Sequence, residues 1–167
     1  MPIIPASPST SVLSRSAALK QRNLPVVAFA YVWTAPNTLV GLVVGLVMVA
    51  CGAQLQRREG VVECHGGVFG RWLSALPHPF CFAAITLGHV ILATDAQQLA
   101  ASREHELVHV RQYERWGALF LPAYALSSAW QLVRGRRPYR DNVFEREAYA
   151  VDAAQCAQAG DPTRHTP

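Results

Sequence analysis

Residues 102–112 read Ser-Arg-Glu-His-Glu-Leu-Val-His-Val-Arg-Gln and contain the pattern His-Glu-x-x-His. On a helix, His105 and His109 lie one turn apart on the same face, where two imidazoles can bind one zinc ion. Glu106 lies beside them in the position of a general base. The motif therefore predicts a zinc site that hydrolyses peptide bonds through a metal-bound water.

The flanking residues predict that this motif lies on a helix. Asp95 is a good N-cap, Gln98 follows three residues later as in a capping box, and Gly117 is well placed to end the helix. Residues 96–116 contain neither proline nor glycine. On such a helix the two histidines face inward and most of the charged residues face outward.

A third protein ligand is expected on a later helix, because zinc bound by two imidazoles needs one more ligand to keep its fourth position for water. Residues from near Asn142 to just before Gly160 are predicted to form this helix. Glu145 and Glu147 are its candidate ligands. Glu145 is favoured because it lies with other residues of this helix on a face that is expected to point inward. It could instead close a capping box with Asn142.

Two further residue types complete the predicted site. Asp152 shares the face of Glu145 and could orient a histidine ligand. Tyr149, Tyr139 and Tyr113 are candidate donors to the developing oxyanion, and the sequence does not choose between them. The four cysteines have no paired short spacing, which argues against a cysteine zinc site and a disulfide framework.

The composition indicates one domain in contact with a lipid bilayer. Of 167 residues, 51% are hydrophobic and only 16% are charged. The arginines that produce the net charge of +4 flank apolar runs and form no basic stripe interleaved with aromatics. We therefore expect no nucleic-acid partner, while the oligomeric state is left open.

The chain divides into four predicted parts: a leader over residues 1–23, an apolar membrane segment over 24–56, a zincin-like domain over 57–160 and a tail over 161–167. The membrane segment is uncharged and, as a single helix, would exceed the roughly 30 Å of a hydrocarbon core. It is predicted to form one long kinked helix or a helical hairpin broken at Pro36-Asn37. The flanking basic residues favour a cytoplasmic location for the catalytic part.

An α+β fold is expected for the rest. Residues 61–65 and 68–73 predict a hairpin around Gly66-Gly67, and residues 82–86 and 89–93 predict a second around Leu87-Gly88. The last strand is expected beside the metal site, where an edge strand could bind an extended peptide or protein substrate. Apolar residues 117–133 and the arginines that follow are expected at the membrane interface.

The order of these features resembles the membrane-integrated gluzincin peptidases, the group of the CaaX prenyl protease and the bacterial heat-shock membrane protease. Residues 83–93 are similar to the strand pair ahead of their metal helix, and Glu145-Arg146-Glu147-Ala148 is similar to their third-ligand motif. The resemblance implies zinc ligation by His105, His109 and Glu145, with Glu106 as the base.

The sequence differs from the usual pattern of that family in two respects. Tyr149 occupies the position where the family usually has Asp, and residues 117–133 are too short for the family's two intervening spans. A compact minimal relative of these enzymes, or a relative that has lost activity, would account for both departures. The alternative is a non-catalytic zincin-like membrane protein that acts as a sensor or binding partner.

Overall fold

The computed structural model describes residues 24–75 and 83–159, and within these ranges the expected α+β class is confirmed. The described residues form five helices, four strands and a 3-10 turn. In order they are α1 (Leu24–Ala50), β1 (Ala53–Arg58), β2 (Val61–Gly66), α2 (Gly67–Ser74), β3 (Ala84–Leu87), β4 (Val90–Ala93), α3 (Ala96–Trp116), the 3-10 turn Gly117–Leu119, α4 (Phe120–Val133) and α5 (Val143–Ala159).

The four strands form one mixed sheet in the order β1-β2-β4-β3. β2 and β4 pair in parallel, and the other two pairs are antiparallel. All four residues of β4 are buried. β3 is an edge strand of this sheet, whereas β4 is paired on both sides. The expectation that the last strand offers an edge to substrate is therefore wrong, and β3 is the strand that has one.

One predicted hairpin is present and the other is not. β3 and β4 form the second hairpin around Gly88, whose φ of +62° suits glycine. The prediction of the first hairpin is wrong, because residues 68–73 lie in helix α2 and β2 pairs instead with β1. β1 pairs with one edge of β2 and β4 with the other, so β2 has no edge left for a strand at 68–73.

Helix α1 is continuous through Pro36, so of the two predicted arrangements the single long helix is present and the hairpin is wrong. The helix ends at Ala50, and residues 53–56 of the predicted membrane segment belong to β1. Residues at spacings of three and four face the sheet and α3 and are buried: Ala30, Thr34, Asn37, Gly41, Gly45 and Met48. Within the described residues, α1 is the one helix that is long and apolar enough to cross a membrane.

Two glycines of α1 allow a direct test of this packing. A Cβ at Gly41 would lie 2.8 Å from the Val90 Cβ and 2.9 Å from the Leu87 carbonyl oxygen, whereas a Cβ at Gly45 would lie 3.7 Å from its nearest neighbour, Leu92. We expect Gly41→Ala to destabilise the fold by about 1–3 kcal/mol through overpacking. Gly45→Ala should be neutral or slightly stabilising, because alanine favours a helix.

Thermal unfolding in detergent micelles, followed by circular dichroism, measures both glycine variants against the wild type. Equal melting temperatures for the two variants would contradict the close approach of α1 to the sheet at Gly41.

Helix α3 begins and ends as the sequence predicts. The Asp95 carboxylate accepts a hydrogen bond of 2.8 Å from the backbone N–H of Gln98, and Gly117 follows the last residue with φ of +57°. One face of α3 packs on the sheet through a core that includes Leu99 and Val110. A second core of Tyr113, Phe120 and Phe144 joins α3 to α4 and α5.

Candidate metal centre

The structure brings His105, His109 and Glu145 together. One Glu145 oxygen, Oε2, lies 3.3 Å from His105 Nε2, and the other, Oε1, lies 3.4 Å from His109 Nε2. The candidate ligand atoms of the three residues all lie within 4.8 Å of one another. The cluster can hold a metal ion, as the sequence predicts.

Partners on the far side of each imidazole orient the two rings. His105 Nδ1 lies 2.9 Å from the Asp152 carboxylate, and His109 Nδ1 lies 2.8 Å from Gln112 Oε1. Gln112 donates through its Nε2 to the Phe144 carbonyl at 3.0 Å, so its Oε1 is the atom that faces His109. Both Nδ1 atoms are therefore donors, which leaves each neutral ring with a free Nε2 lone pair towards Glu145.

Asn142 fixes the start of α5 and thereby the position of Glu145. Its Oδ1 accepts from the backbone N–H of Phe144 at 3.0 Å, as an N-cap does. Its Nδ2 donates to the Tyr124 carbonyl at 3.0 Å and to Ser128 Oγ at 2.7 Å. These bonds tie the first turn of α5 to α4, so that Glu145 faces α3.

Glu147 lies outside the cluster. Its side chain is 44% exposed, accepts from Gln112 Nε2 at 2.9 Å and pairs with Arg115. It contacts the cluster only through Gln112, which positions His109. Of the two candidate carboxylates, Glu145 is the one beside both Nε2 atoms.

Charge interactions within the cluster shift its pKa values strongly. Burial alone would lower the pKa of His105, but the neighbouring Glu145 and Asp152 carboxylates raise it to about 9. Burial alone would raise the pKa of Glu145, but the two histidines lower it to about 2. Without a cation the carboxylate is thus held ionised and His105 is held protonated at neutral pH.

Metal binding is therefore expected to release a proton at neutral pH, since an imidazole ligand must give up its Nε2 proton. Zinc affinity should increase as the pH rises towards the His105 pKa of about 9 and level off above it. Calorimetric titration at pH 7, repeated in buffers of different ionisation enthalpy, measures the protons released per zinc bound. No proton release at this pH would contradict the coupling of His105 to Glu145.

The predicted base, Glu106, lies in a buried environment with one strong hydrogen bond. Its carboxylate accepts from Thr86 Oγ1 at 2.6 Å. Burial raises the pKa of Glu106, and the Thr86 hydrogen bond and the two histidines lower it in part. A carboxylate with a raised pKa is suited to accept and return a proton near neutral pH.

A cavity of about 280 Å³ adjoins both Glu106 and the metal cluster. The edge strand β3 forms one wall and α4 forms another. Its lining residues are Ala84, Ile85, Thr86, Glu106, His109, Tyr113, Phe120, Leu121, Tyr124, Tyr139 and Glu145. A ligand in this cavity would lie against the base, the cluster and a strand edge at once.

The tyrosines around the site differ in their positions. Tyr113 and Tyr139 line the cavity, and the buried Tyr113 hydroxyl has no hydrogen-bond partner among the described residues. Tyr149 packs its ring 5.0 Å from the ring of His105. Tyr124, which the sequence did not single out for the site, donates to Glu145 Oε1 at 2.7 Å.

Thr86 and Gln112 are also site residues that the sequence reasoning did not assign. Gln112 shares the inward helix face of the two histidines, which was a usable signal for a partner of His109. Thr86 is a buried polar residue in a strand, and only the packing of β3 on α3 reveals its contact with Glu106.

Comparisons with known protein families, with curated proteins and with solved structures find no match to this chain.

Proposed function

We propose that the protein is a zinc-dependent metallopeptidase that cleaves peptide or protein substrates near a membrane, with its site on the cytoplasmic side. The observation that carries this proposal is the convergence of His105, His109 and Glu145 in one cluster, next to a cavity that Glu106, His109 and Glu145 line. The three candidate ligands are those of the two-histidine, one-glutamate set used in zinc peptidases.

The residues fit a divalent cation. Glu145 Oε2 is buried and has no hydrogen-bond partner among the described residues, although it lies beside His105 Nε2. A cation shared by these atoms would satisfy the carboxylate and both free nitrogen lone pairs. Two imidazoles with one carboxylate favour zinc over magnesium or calcium, which prefer all-oxygen sites.

A zinc ion in such a site acts as a Lewis acid and lowers the pKa of water from 15.7 to about 7. Glu106 would take the proton of the attacking water and pass it to the leaving amine. The 2.6 Å hydrogen bond from Thr86 holds the carboxylate in place for both transfers. Asp152 and Gln112 keep the two imidazoles in the tautomer that ligation requires.

Strand β3 supports binding of an extended peptide. Its outer edge has no partner strand among the described residues, and its residues Ala84, Ile85 and Thr86 line the cavity. A substrate strand could pair with this edge through backbone hydrogen bonds, while the apolar wall of Phe120 and Leu121 accepts a side chain. This mode of binding favours apolar sequence without demanding one particular residue.

The fold order is compatible with a compact relative of the membrane-integrated gluzincins. A strand pair precedes the metal helix and the third candidate ligand lies on a later helix, as the resemblance implies. Tyr149, which replaces the family's usual Asp, packs against His105. Asp152, one turn further along α5, makes the carboxylate contact with that imidazole.

Cleavage by the purified full-length chain tests the proposal. We expect hydrolysis of casein or a quenched peptide library in detergent micelles, its loss on treatment with 1,10-phenanthroline, and its recovery when zinc is restored. Stoichiometric zinc without cleavage would contradict the peptidase and favour a zincin-like sensor or binding partner. Cleavage that survives complete metal removal would contradict the metal mechanism.

A further inference from the structure

The folded domain covers one face of α1 along nearly its whole length. Near its start, the Tyr31 hydroxyl donates to the Gly60 carbonyl in the β1–β2 turn at 2.7 Å. Near its end, Met48 packs in a core with Ala53 and Cys64. From Tyr31 to Met48 the helix rises about 26 Å, close to the thickness of a hydrocarbon core.

Strand β1 lies alongside this part of α1 and is unsuited to a membrane interior. It is the other edge of the described sheet, so one side of its backbone is unpaired. All of its residues after Ala53 are exposed, and they include Gln54, Gln56, Arg57 and Arg58. Open sheet edges do not occur in hydrocarbon, and polar or charged side chains are costly there. A crossing by α1 would carry this strand into the bilayer.

The opposite face of α1 is apolar and exposed along the same length. Val32, Leu39 and Leu46 mark one stripe at intervals of seven residues, with exposed fractions of 74%, 61% and 69%. The sequence from 23 to 56 contains no charged residue. An apolar face of this extent requires a nonpolar environment.

Helix α4 extends the apolar surface away from α1. The 3-10 turn that leads into α4 lies against α1. Asn37 Nδ2 donates to the Gly117 carbonyl at 3.3 Å, and a Cβ at Gly117 would collide with the Trp33 side chain. Further along α4, Leu126 and Trp130 are exposed. Exposed tryptophans of this kind favour the headgroup level of a bilayer.

Basic residues follow directly after α4. Arg134 lies 4.9 Å above the Trp130 ring, and Arg137, Arg140 and Arg146 line an open cavity of about 470 Å³ in which Asp141 is the acidic lining residue. In the described parts of the chain, none of these four arginines is within ion-pair distance of an Asp or Glu side chain. Unpaired guanidinium groups next to an apolar surface complement the phosphates of anionic lipids.

From these observations we propose that the protein is a monotopic membrane protein. Helix α1 lies along one leaflet of an anionic bilayer, with the outer faces of α1 and α4 among the acyl chains and the arginines after α4 at the phosphates. A lipid bilayer is the partner that fits this surface, because α4 connects the apolar face of α1 to the arginines that follow α4. This arrangement in the membrane does not depend on whether His105, His109 and Glu145 bind a metal.

Depth measurements in vesicles separate this arrangement from a crossing. A fluorescent amino acid is placed singly at Val32, Leu39 or Leu46 of the full-length chain, and at Arg111 on the far side of α3 as a control. Phospholipids with a nitroxide quencher at shallow or deep acyl positions report the depth of each probe. We expect equal quenching at the three α1 positions, strongest with the shallow quencher, and none at Arg111.

Two results would overturn the in-plane arrangement. Deep quenching at Leu39 with shallow quenching at Val32 and Leu46 would show that α1 crosses the bilayer. No quenching at any α1 position would show that the face meets protein instead, for which a second copy of the chain is the obvious occupant.

Vesicle flotation tests the basic cluster. We expect wild-type protein to bind phosphatidylcholine vesicles more tightly when phosphatidylglycerol is included. The triple variant Arg134→Ala, Arg137→Ala and Arg140→Ala should lose this preference, while Arg57→Ala with Arg58→Ala on β1 should retain it. An equal loss in both variants, or no preference in the wild type, would refute the assignment of these arginines to lipid phosphates.

Discussion

Replacing Glu106 with glutamine is expected to lower kcat/KM for peptide hydrolysis by about 10²–10⁴-fold, the usual contribution of a general base. Glutamine keeps the size of the side chain and can still accept the Thr86 hydrogen bond through its amide oxygen. It cannot accept the proton of the attacking water. Glu106 is not among the clustered ligand atoms, so the zinc content should be unchanged.

The matched control is Glu104→Gln, which removes the same charge two residues away on the solvent side of α3. Glu104 contacts Arg103 at 3.5 Å and lies outside the cavity. Its variant should keep wild-type kcat/KM and zinc content. Undiminished cleavage by Glu106→Gln would remove Glu106 from the mechanism, and zinc loss in that variant would assign it to the metal site instead.

Replacing Glu145 with alanine is expected to weaken zinc binding by more than about 100-fold, beyond the 10–100-fold loss typical of a group that only orients a ligand. The carboxylate supplies the oxygen atoms beside both histidine Nε2 atoms. Its removal leaves two imidazoles and frees the Tyr124 hydroxyl from its acceptor. Competition with a chromophoric chelator measures the change in affinity.

Glu147→Ala provides the comparison for Glu145, since it removes a carboxylate two residues away on the same helix. Glu147 is coupled to the site through its hydrogen bond with Gln112 and through its charge near His109, so its loss should weaken zinc binding by at most about 10–100-fold. Far-ultraviolet circular dichroism of both metal-free variants checks that α5 still folds. A greater zinc loss in Glu147→Ala than in Glu145→Ala would reverse the choice of ligand.

The metal helix was predictable because its signals are local. Asp95, Gln98 and Gly117 set its ends within the chain, and the spacing of His105 and His109 sets their common face. The candidacy of Glu145 followed from the same helical periodicity applied to α5. Its contact with both histidines depends on how α5 packs, which the Asn142 bonds to α4 determine.

The errors concern features that depend on distant neighbours. Residues 68–73 have the apolar content of a strand, but both edges of β2 are already occupied, so they form α2. Pro36 predicts a break in the helix. However, α1 packs on the domain both before and after Pro36, through Thr34 and Gly41. Thr86 and Tyr124 join the site through tertiary contacts that no sequence spacing encodes.

A zinc K-edge X-ray absorption spectrum of the purified, zinc-loaded full-length protein tests the metal centre most directly. We expect a first shell of nitrogen and oxygen at about 2.0–2.2 Å with scattering from two imidazoles, and no sulfur at about 2.3 Å. A sulfur shell, a single imidazole, or a protein that retains no zinc would contradict a site built from His105, His109 and Glu145.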